Sequence, residues 1–311
     1  MPILPPEILE DIFSIFLSTP NSGSVLCLLR TSSNFLQIGQ RFLYSQLRFT
    51  TQRQLASFIS LYSLPKHILP YAPRSVELDI PRNTGSHSLF TDIHAIFSRC
   101  LPNVKDAQRD ENGRYCLDSL YLRLNSHFFD SKIEMIYSSL SLINPRRFTW
   151  TGPAPPHHIS IAIIPQAKAC LFRALSEYTN LVYLKLTHIS LFPVVGEMNH
   201  LPIIPSLRTF YLCQVIHLNP ASIAALIFDP NSENLEKLYL IDAYLESIWG
   251  PRLRRSDVEK AAVKLIPTAD NVGHPAVLDE NTRSRIHQII TCMAQTERIM
   301  GGDRVENTFL V

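Results

Sequence analysis

Six cysteines and one pair of adjacent histidines are the residues of this sequence that could perform nucleophilic or metal chemistry. No pattern near any cysteine is of the kind that lowers a thiol pKa, so the sequence favours small buried apolar side chains over nucleophiles. His157 and His158 would point to opposite faces of a strand, and they follow a proline-rich stretch that predicts an exposed loop and not a metal site. The cysteines are scattered without a Cys-x-x-Cys pair: Cys27, Cys100, Cys116, Cys170, Cys213 and Cys292.

The sequence motifs of common enzyme classes are missing. There is no nucleophile elbow and no His-Glu-x-x-His helix. The glycine pair in residues 301–304 lacks the lysine and the serine or threonine of a phosphate-binding loop. We therefore expect a protein that is not an enzyme and that needs no cofactor and no metal.

The overall composition is that of an ordinary globular protein. The chain has 311 residues, of which 46% are hydrophobic and 18% charged, and this length suits one large domain or two smaller ones. A net charge of +2 is too small to indicate nucleic acid or a membrane surface as a partner. No apolar run approaches the roughly 20 residues of a membrane span, and the N-terminus lacks the basic start of a signal peptide. We expect a cytoplasmic and/or nuclear protein with reduced cysteines.

The first 50 residues predict three short helices. Apolar residues at positions 8, 9, 12, 13 and 16 form the stripe of an amphipathic helix, and a loop follows it at 19–23. A second apolar segment spans 25–29, and Ser32 or Ser33 is placed to cap a third helix. Three such helices cannot bury their apolar surface alone, so they need a partner protein or the rest of the chain.

The order of these residues resembles the F-box motif. A Leu-Pro-x-Glu-Ile-Leu-x-x-Ile-Phe start leads to Leu-Leu, then through a serine-rich step to Phe35 and finally to Phe42-Leu43-Tyr44. Members of that family fold this segment into a small helical bundle that binds a Skp-type adaptor, and through it a cullin and a RING subunit. The alternative is an amphipathic helix that packs on its own domain. The resemblance implies these adaptor-contacting residues: Leu4, Pro5, Glu7, Ile8, Leu9, Ile12, Phe13, Leu28, Leu29, Phe35 and Leu43.

A degenerate Leu-x-x-Leu-x-Leu pattern recurs from residue 71 onward. Its copies end at positions 78, 122, 150, 186, 212 and 240, with steps of 44, 28, 36, 26 and 28 residues. The final Leu-x-Leu places two side chains on one strand face, and the segments 90–100, 132–143, 167–178 and 220–228 can hold helices. The 44-residue step leaves room for an insertion or a missed repeat.

These copies resemble leucine-rich repeats, whose period is 20–29 residues. The resemblance implies stacked strand–helix units that form a curved parallel sheet. F-box proteins with such repeats use them to hold the protein that is to be ubiquitinated, and fungal F-box proteins with irregular repeats look most like this chain. The alternative is an ordinary α/β domain with similar local spacing.

The sequence thus predicts an α/β fold in four segments. These are a helical F-box domain at 1–50, a helical linker at 51–70, a leucine-rich-repeat-like solenoid at 71–245 and a capping segment at 246–311, where helical spacing runs through residues 286–293. The function implied is a non-catalytic substrate-recognition adaptor of a Skp–cullin–F-box E3 ubiquitin ligase, with an unknown protein target. The alternative is a leucine-rich-repeat interaction scaffold that has no ubiquitin-ligase role.

Overall fold

A computed structural model describes the chain at residues 5–18, 27, 29–64, 66–81, 89–102, 104, 106–154, 160–194, 200–265, 280–296 and 308–309. It is an α/β structure. The strands are β1 Gln46–Phe49, β2 Ser75–Asp79, β3 Tyr115–Leu117, β4 Ser119–Arg123, β5 Ile143–Pro145, β6 Arg147–Thr151, β7 Tyr183–Ser190, β8 Thr209–Ile216, β9 Lys237–Ala243, β10 Ile290–Ala294 and β11 Thr308–Phe309. The helices are α1 Pro6–Ser18, α2 Ser33–Ser45, α3 Gln52–Tyr62, α4 Leu89–Ala95, α5 Met135–Leu140, α6 Pro165–Leu175, α7 Pro220–Phe228, α8 Arg255–Leu265 and α9 Glu280–Ile289.

One mostly parallel sheet organises the fold. Within the described ranges it has nine strands in the order β1-β2-β4-β6-β7-β8-β9-β10-β11, and β11 alone runs antiparallel to its neighbour. Strands β3 and β5 form a separate parallel pair. Strand order follows chain order throughout, whereas it reverses in a doubly wound sheet. Each new strand is therefore added at the same edge.

Alternating side chains explain why the sheet has one buried and one open face. In β4, Leu120 and Leu122 are buried, and Ser119 and Tyr121 are half-buried on the opposite side. Helices cover the buried face, and α3, α4, α5 and α6 contact one another in sequence order. The largest fully buried side chain is Trp150 in β6, whose Nε1 donates to the Leu124 carbonyl at 3.1 Å.

All six copies of the leucine pattern form strands of this sheet, namely β2, β4, β6, β7, β8 and β9. The 44-residue step is an insertion, because β2 pairs directly with β4 through Val76 and Leu120. The helix predicted at 220–228 is confirmed as α7, whose N-cap Asn219 accepts from the Ala221 amide at 2.9 Å. The segment 90–100 is helical too, with α4 followed by a π-helical turn at Ile96–Cys100.

The sheet extends beyond the predicted repeats at both edges. Strand β1 precedes them, and β10 follows them by pairing Ile290 with Leu238 of β9. The helical spacing at 286–293 does not correspond to one helix, since α9 ends at Ile289 and a strand begins at the next residue. The β-branched pair Ile290-Thr291 suits a strand better than a helix.

A backbone feature repeats in the three best copies. His188, Gln214 and Asp242 have φ values of 56°, 47° and 48°, although such values are uncommon outside glycine. Each lies two residues after the last leucine of its copy. The pairing of β7, β8 and β9 continues on both sides of these residues and omits the residues themselves. The three strands therefore share the same left-handed backbone conformation at equivalent positions, with no residue inserted in one strand relative to the next.

Candidate functional site

The N-terminal helices α1 and α2 pack against each other through aromatic rings. Phe13 of α1 is fully buried, and its ring centroid lies 5.4 Å from that of Phe35 and 6.1 Å from that of Phe42. Gly39 of α2 permits this approach, because a Cβ there would lie 2.9 Å from Phe13 Cε1 and would also overlap Leu29. Helix α2 begins at an N-cap, Ser32, whose hydroxyl accepts from the Phe35 amide at 3.2 Å.

The outer faces of the same helices expose large apolar side chains. On α1, Ile8, Ile12 and Ile15 are 45%, 38% and 66% exposed, and their spacing of four and three residues places them on one helix face. On α2, Leu36 and Leu43 are 42% and 40% exposed and lie seven residues apart. We call these five side chains the apolar stripes. The packing of α1 on α2 through Phe13, Phe35 and Phe42 therefore leaves these five side chains uncovered.

The structure divides the sequence-predicted contact residues into groups. Leu9 and Phe13 are buried between the helices, and Leu29 and Phe35 are half-buried. Pro5, Ile8, Ile12 and Leu43 are exposed. Leu4 and Leu28 lie outside the described residues, as does the Glu7 side chain. The predicted set therefore mixes residues that hold the helices together with residues available to a partner.

Two exposed members of the apolar stripes were not predicted as contacts. Ile15 continues the line of Ile8 and Ile12 by three residues, and Leu36 precedes Leu43 by two helical turns. Helical spacing on a single face is the signal that would have found both.

A short rigid connection joins these helices to the sheet. Helix α2 runs directly into β1, which pairs with β2 by aligning Leu47 with Val76. Helix α3, in the predicted linker at 51–70, packs back on this connection, since its Phe58 ring lies 5.1 Å from the Phe49 ring. The Tyr44 and Tyr62 hydroxyls are hydrogen-bonded at 2.9 Å. The orientation of the apolar stripes relative to the sheet is therefore fixed by packing.

The thiols are mostly unsuited to nucleophilic chemistry. Cys100, Cys170, Cys213 and Cys292 are buried. Burial raises the pKa of Cys213 and that of Cys292 to about 12. Among the described residues, no cluster of three or more histidine, cysteine or acidic side chains could hold a metal ion. The His157-His158 pair lies outside that part of the chain.

Thiol labelling should separate the cysteines by burial. Burial raises the pKa of Cys213 far above pH 8, so very little of this thiol is ionised at that pH. We therefore expect a disulfide reagent to label exposed Cys27 first, and Cys213 and Cys292 only after unfolding. Mass spectrometry of the labelled peptides gives the order, and Cys27→Ser should remove the fast phase. Fast labelling of Cys213 in the native chain would contradict this assignment.

The fold defines the class of this chain as an α/β protein with a mostly parallel sheet and helices. No helix in the described ranges combines the length and the apolar character needed to cross a membrane. A scan against protein-family models finds no match for this chain, and a search of curated proteins finds no relative.

Proposed function

We propose that this chain is a non-catalytic substrate-recognition adaptor of a Skp–cullin–F-box E3 ubiquitin ligase. The N-terminal helices would bind the Skp-type adaptor, which brings the cullin and the RING subunit, and the sheet would bind a protein target. The assignment of the N-terminal segment to the F-box family and of the sheet to curved leucine-rich repeats is part of this proposal.

The observation that supports the proposal most is the pair of apolar stripes. Five large apolar side chains remain exposed on two helices whose inner faces are already packed on each other through Phe13 and Phe35. Complete burial of a fully exposed side chain of this size is worth about 1.5–3 kcal/mol, and these five side chains, between 38% and 66% exposed, keep part of that gain for a partner. Such a surface suits an apolar protein partner, and its position follows the residue order of the F-box motif.

The rigid connection to the sheet is a second argument. A ligase has to hold its target at a defined distance from the transferring enzyme, and a stiff spacer does this better than a flexible one. Here α2, β1 and α3 are tied together by the Phe49–Phe58 contact and the Tyr44–Tyr62 hydrogen bond.

Binding to a Skp-type adaptor tests the proposal. We expect the double substitution Ile8→Glu with Ile12→Glu to weaken adaptor binding by at least about 100-fold, because it places two charges where apolar contact is needed. Isothermal titration calorimetry with a purified Skp-type protein measures the affinity. Circular dichroism should be unchanged, since both side chains are exposed.

Ile68→Glu is the matched control, because Ile68 is 54% exposed and lies outside the N-terminal helices. It should bind the adaptor as the unmodified chain does. If the unmodified chain does not bind any Skp-type protein, or if the double variant binds as tightly, the chain is better described as a repeat scaffold without a ligase role.

A further inference from the structure

The open face of the sheet is chemically different in its two halves. On β1, β2 and β4 the charges pair with each other: Arg48 Nε lies 3.2 Å from Glu77, and Arg123 lies 3.2 Å from Asp79. On β6 to β9 the same face carries tyrosines and basic residues. We call Tyr183, Tyr211 and Tyr239 the tyrosine row, and Arg147, Lys185 and Lys237 its basic residues.

The strand register brings the tyrosine row together. Tyr211 aligns with Tyr239 in the next strand and with Lys185 in the previous one. Tyr211 and Tyr239 stack with ring centroids 4.3 Å apart and planes 10° apart, and the Tyr183 ring lies 5.5 Å from that of Tyr211. Stacking of this kind fixes the rings as a rigid row.

Part of the aromatic surface in this row is already occupied. Tyr211 and Tyr239 cover each other, and the Arg147 guanidinium lies 4.6 Å from the Tyr183 ring centroid. A nucleic acid base binds tyrosine by stacking on a ring face, and no gap between Tyr211 and Tyr239 admits one. The phenol hydroxyls at the ring edges are the polar groups that the three half-buried tyrosines offer.

The charges around the row are positive and lack a carboxylate. In the described part of the chain, no ion pair involves Arg147, Lys185 or Lys237. Lys237 Nζ donates to the Gln288 carbonyl at 3.3 Å, which leaves two of its three ammonium protons for a ligand. The nearby Glu236 is paired with Arg208 at 3.2 Å. A tyrosine hydroxyl titrates at about 10 and is therefore protonated at neutral pH, where it can donate a hydrogen bond. Burial raises the pKa of Tyr183 and that of Tyr211 further, and the Tyr211 hydroxyl also interacts with the Tyr239 hydroxyl.

We propose that the open face of β6 to β9 binds a short acidic segment of a target protein in extended conformation. Its carboxylates would accept hydrogen bonds from Lys185, Lys237 and the phenol hydroxyls, and charge complementarity sets the choice of ligand. Four neighbouring strands span about 14 Å, which matches four or five extended residues. Calling the ligand a target rests on the proposed function, whereas the binding itself does not.

Peptide binding to the full chain tests the proposal without any Skp-type protein. The probe is a fluorescein-labelled octapeptide of alternating glutamate and alanine, and its glutamine counterpart is the control. Fluorescence anisotropy should show binding of the glutamate peptide only. That binding should weaken as salt rises from about 50 mM to about 500 mM.

Three variants locate the site. We expect Lys185→Gln and Lys237→Gln each to lower the affinity for the glutamate peptide by about tenfold, because each removes a charge-assisted hydrogen bond. Tyr211→Phe keeps the ring stack and removes one donor, so a loss of about fivefold is expected. The matched controls are Lys66→Gln, an exposed lysine in a turn outside the strands, and Tyr121→Phe, which lies on the half of the same face where the charges pair with each other.

Cross-linking gives a second measurement that does not depend on variant folding. A carbodiimide should join the peptide carboxylates to Lys185 and Lys237, as read by mass spectrometry. Equal binding of the glutamine peptide, unchanged affinity in all three variants, or cross-links confined to other lysines would each overturn the proposal. So would tighter binding of an oligouridine that competes with the peptide. None of these results bears on adaptor binding by the N-terminal helices, so the two proposals fail separately.

Discussion

Replacing Arg252 with alanine is expected to lower the free energy of unfolding by about 3–5 kcal/mol. The Arg252 and Asp242 side chains are only 2% and 1% exposed, and Arg252 Nε lies 3.0 Å from Asp242 Oδ1. The geometry at Nε is that of an ion pair and not of an aligned hydrogen bond. Removing the arginine would leave the Asp242 carboxylate buried without its countercharge, which is the costly case for a buried pair.

This ion pair also joins three segments near the C-terminal ends of β9 and β10. The Asp242 carboxylate accepts from the backbone amides of Gln295 and Thr296 at 3.2 and 3.1 Å, just after β10. Arg252 donates to the Thr296 carbonyl. One pair thus connects β9 to the loop before α8 and to the end of β10. Its loss should therefore loosen β10 first, and hydrogen exchange should report faster exchange in Ile290–Ala294.

Arg208→Ala is the matched control for Arg252→Ala. Arg208 also pairs with an acidic residue, Glu236, but the two side chains are 58% and 61% exposed, and such pairs contribute at most about 1 kcal/mol. Urea denaturation followed by circular dichroism measures both variants. A double variant, Asp242→Asn with Arg252→Met, should recover part of the loss because no charge stays buried. An equal decrease in the free energy of unfolding for Arg252→Ala and Arg208→Ala would show that the buried pair contributes no more to stability than the exposed one.

Local sequence patterns predict the elements of this fold well where one pattern dominates. Helix α7 has an N-cap asparagine, a proline at its first position and an apolar run, and the predicted bounds 220–228 match the structure. The six leucine copies become strands because Leu-x-Leu can bury two side chains on one face only in an extended backbone. Strand β10 was missed because the helical spacing of α9 continues through Ile290 and Met293.

The contacts that join distant segments could not be predicted in the same way. Asp242 and Arg252 become a buried pair because the chain after β9 turns back and pairs Tyr244 with Arg252. No local sequence pattern predicts that turn. The tyrosine row depends on the register of β7, β8 and β9, which is set by pairing and not by any one strand. At the N-terminus, the helical stripe identifies the apolar residues but not which of them are covered by the neighbouring helix.

The substitutions Phe13→Ala and Ile12→Ala should separate folding from docking in α1. Phe13 is fully buried against Phe35 and Phe42, and truncating such a ring costs about 3–5 kcal/mol. We expect Phe13→Ala to release α1 from α2, with a loss of amide protection in both helices and loss of adaptor binding as a consequence. Hydrogen exchange detects this local unfolding while the sheet stays protected.

Ile12 is adjacent in sequence but 38% exposed, so Ile12→Ala should leave the protection of α1 unchanged. In a complex its side chain would become buried, and its truncation should weaken adaptor binding by up to about 30-fold. Phe129→Ala is the control for a lost aromatic ring, because Phe129 is fully exposed. This substitution should change neither amide protection nor adaptor affinity. If Ile12→Ala reduced protection as much as Phe13→Ala, the apolar stripes would belong to the packed core of the N-terminal helices. Adaptor binding would then have to depend on another surface. If Ile12→Ala reduced only the affinity, α1 would have one face that holds the helices together and one that meets the partner.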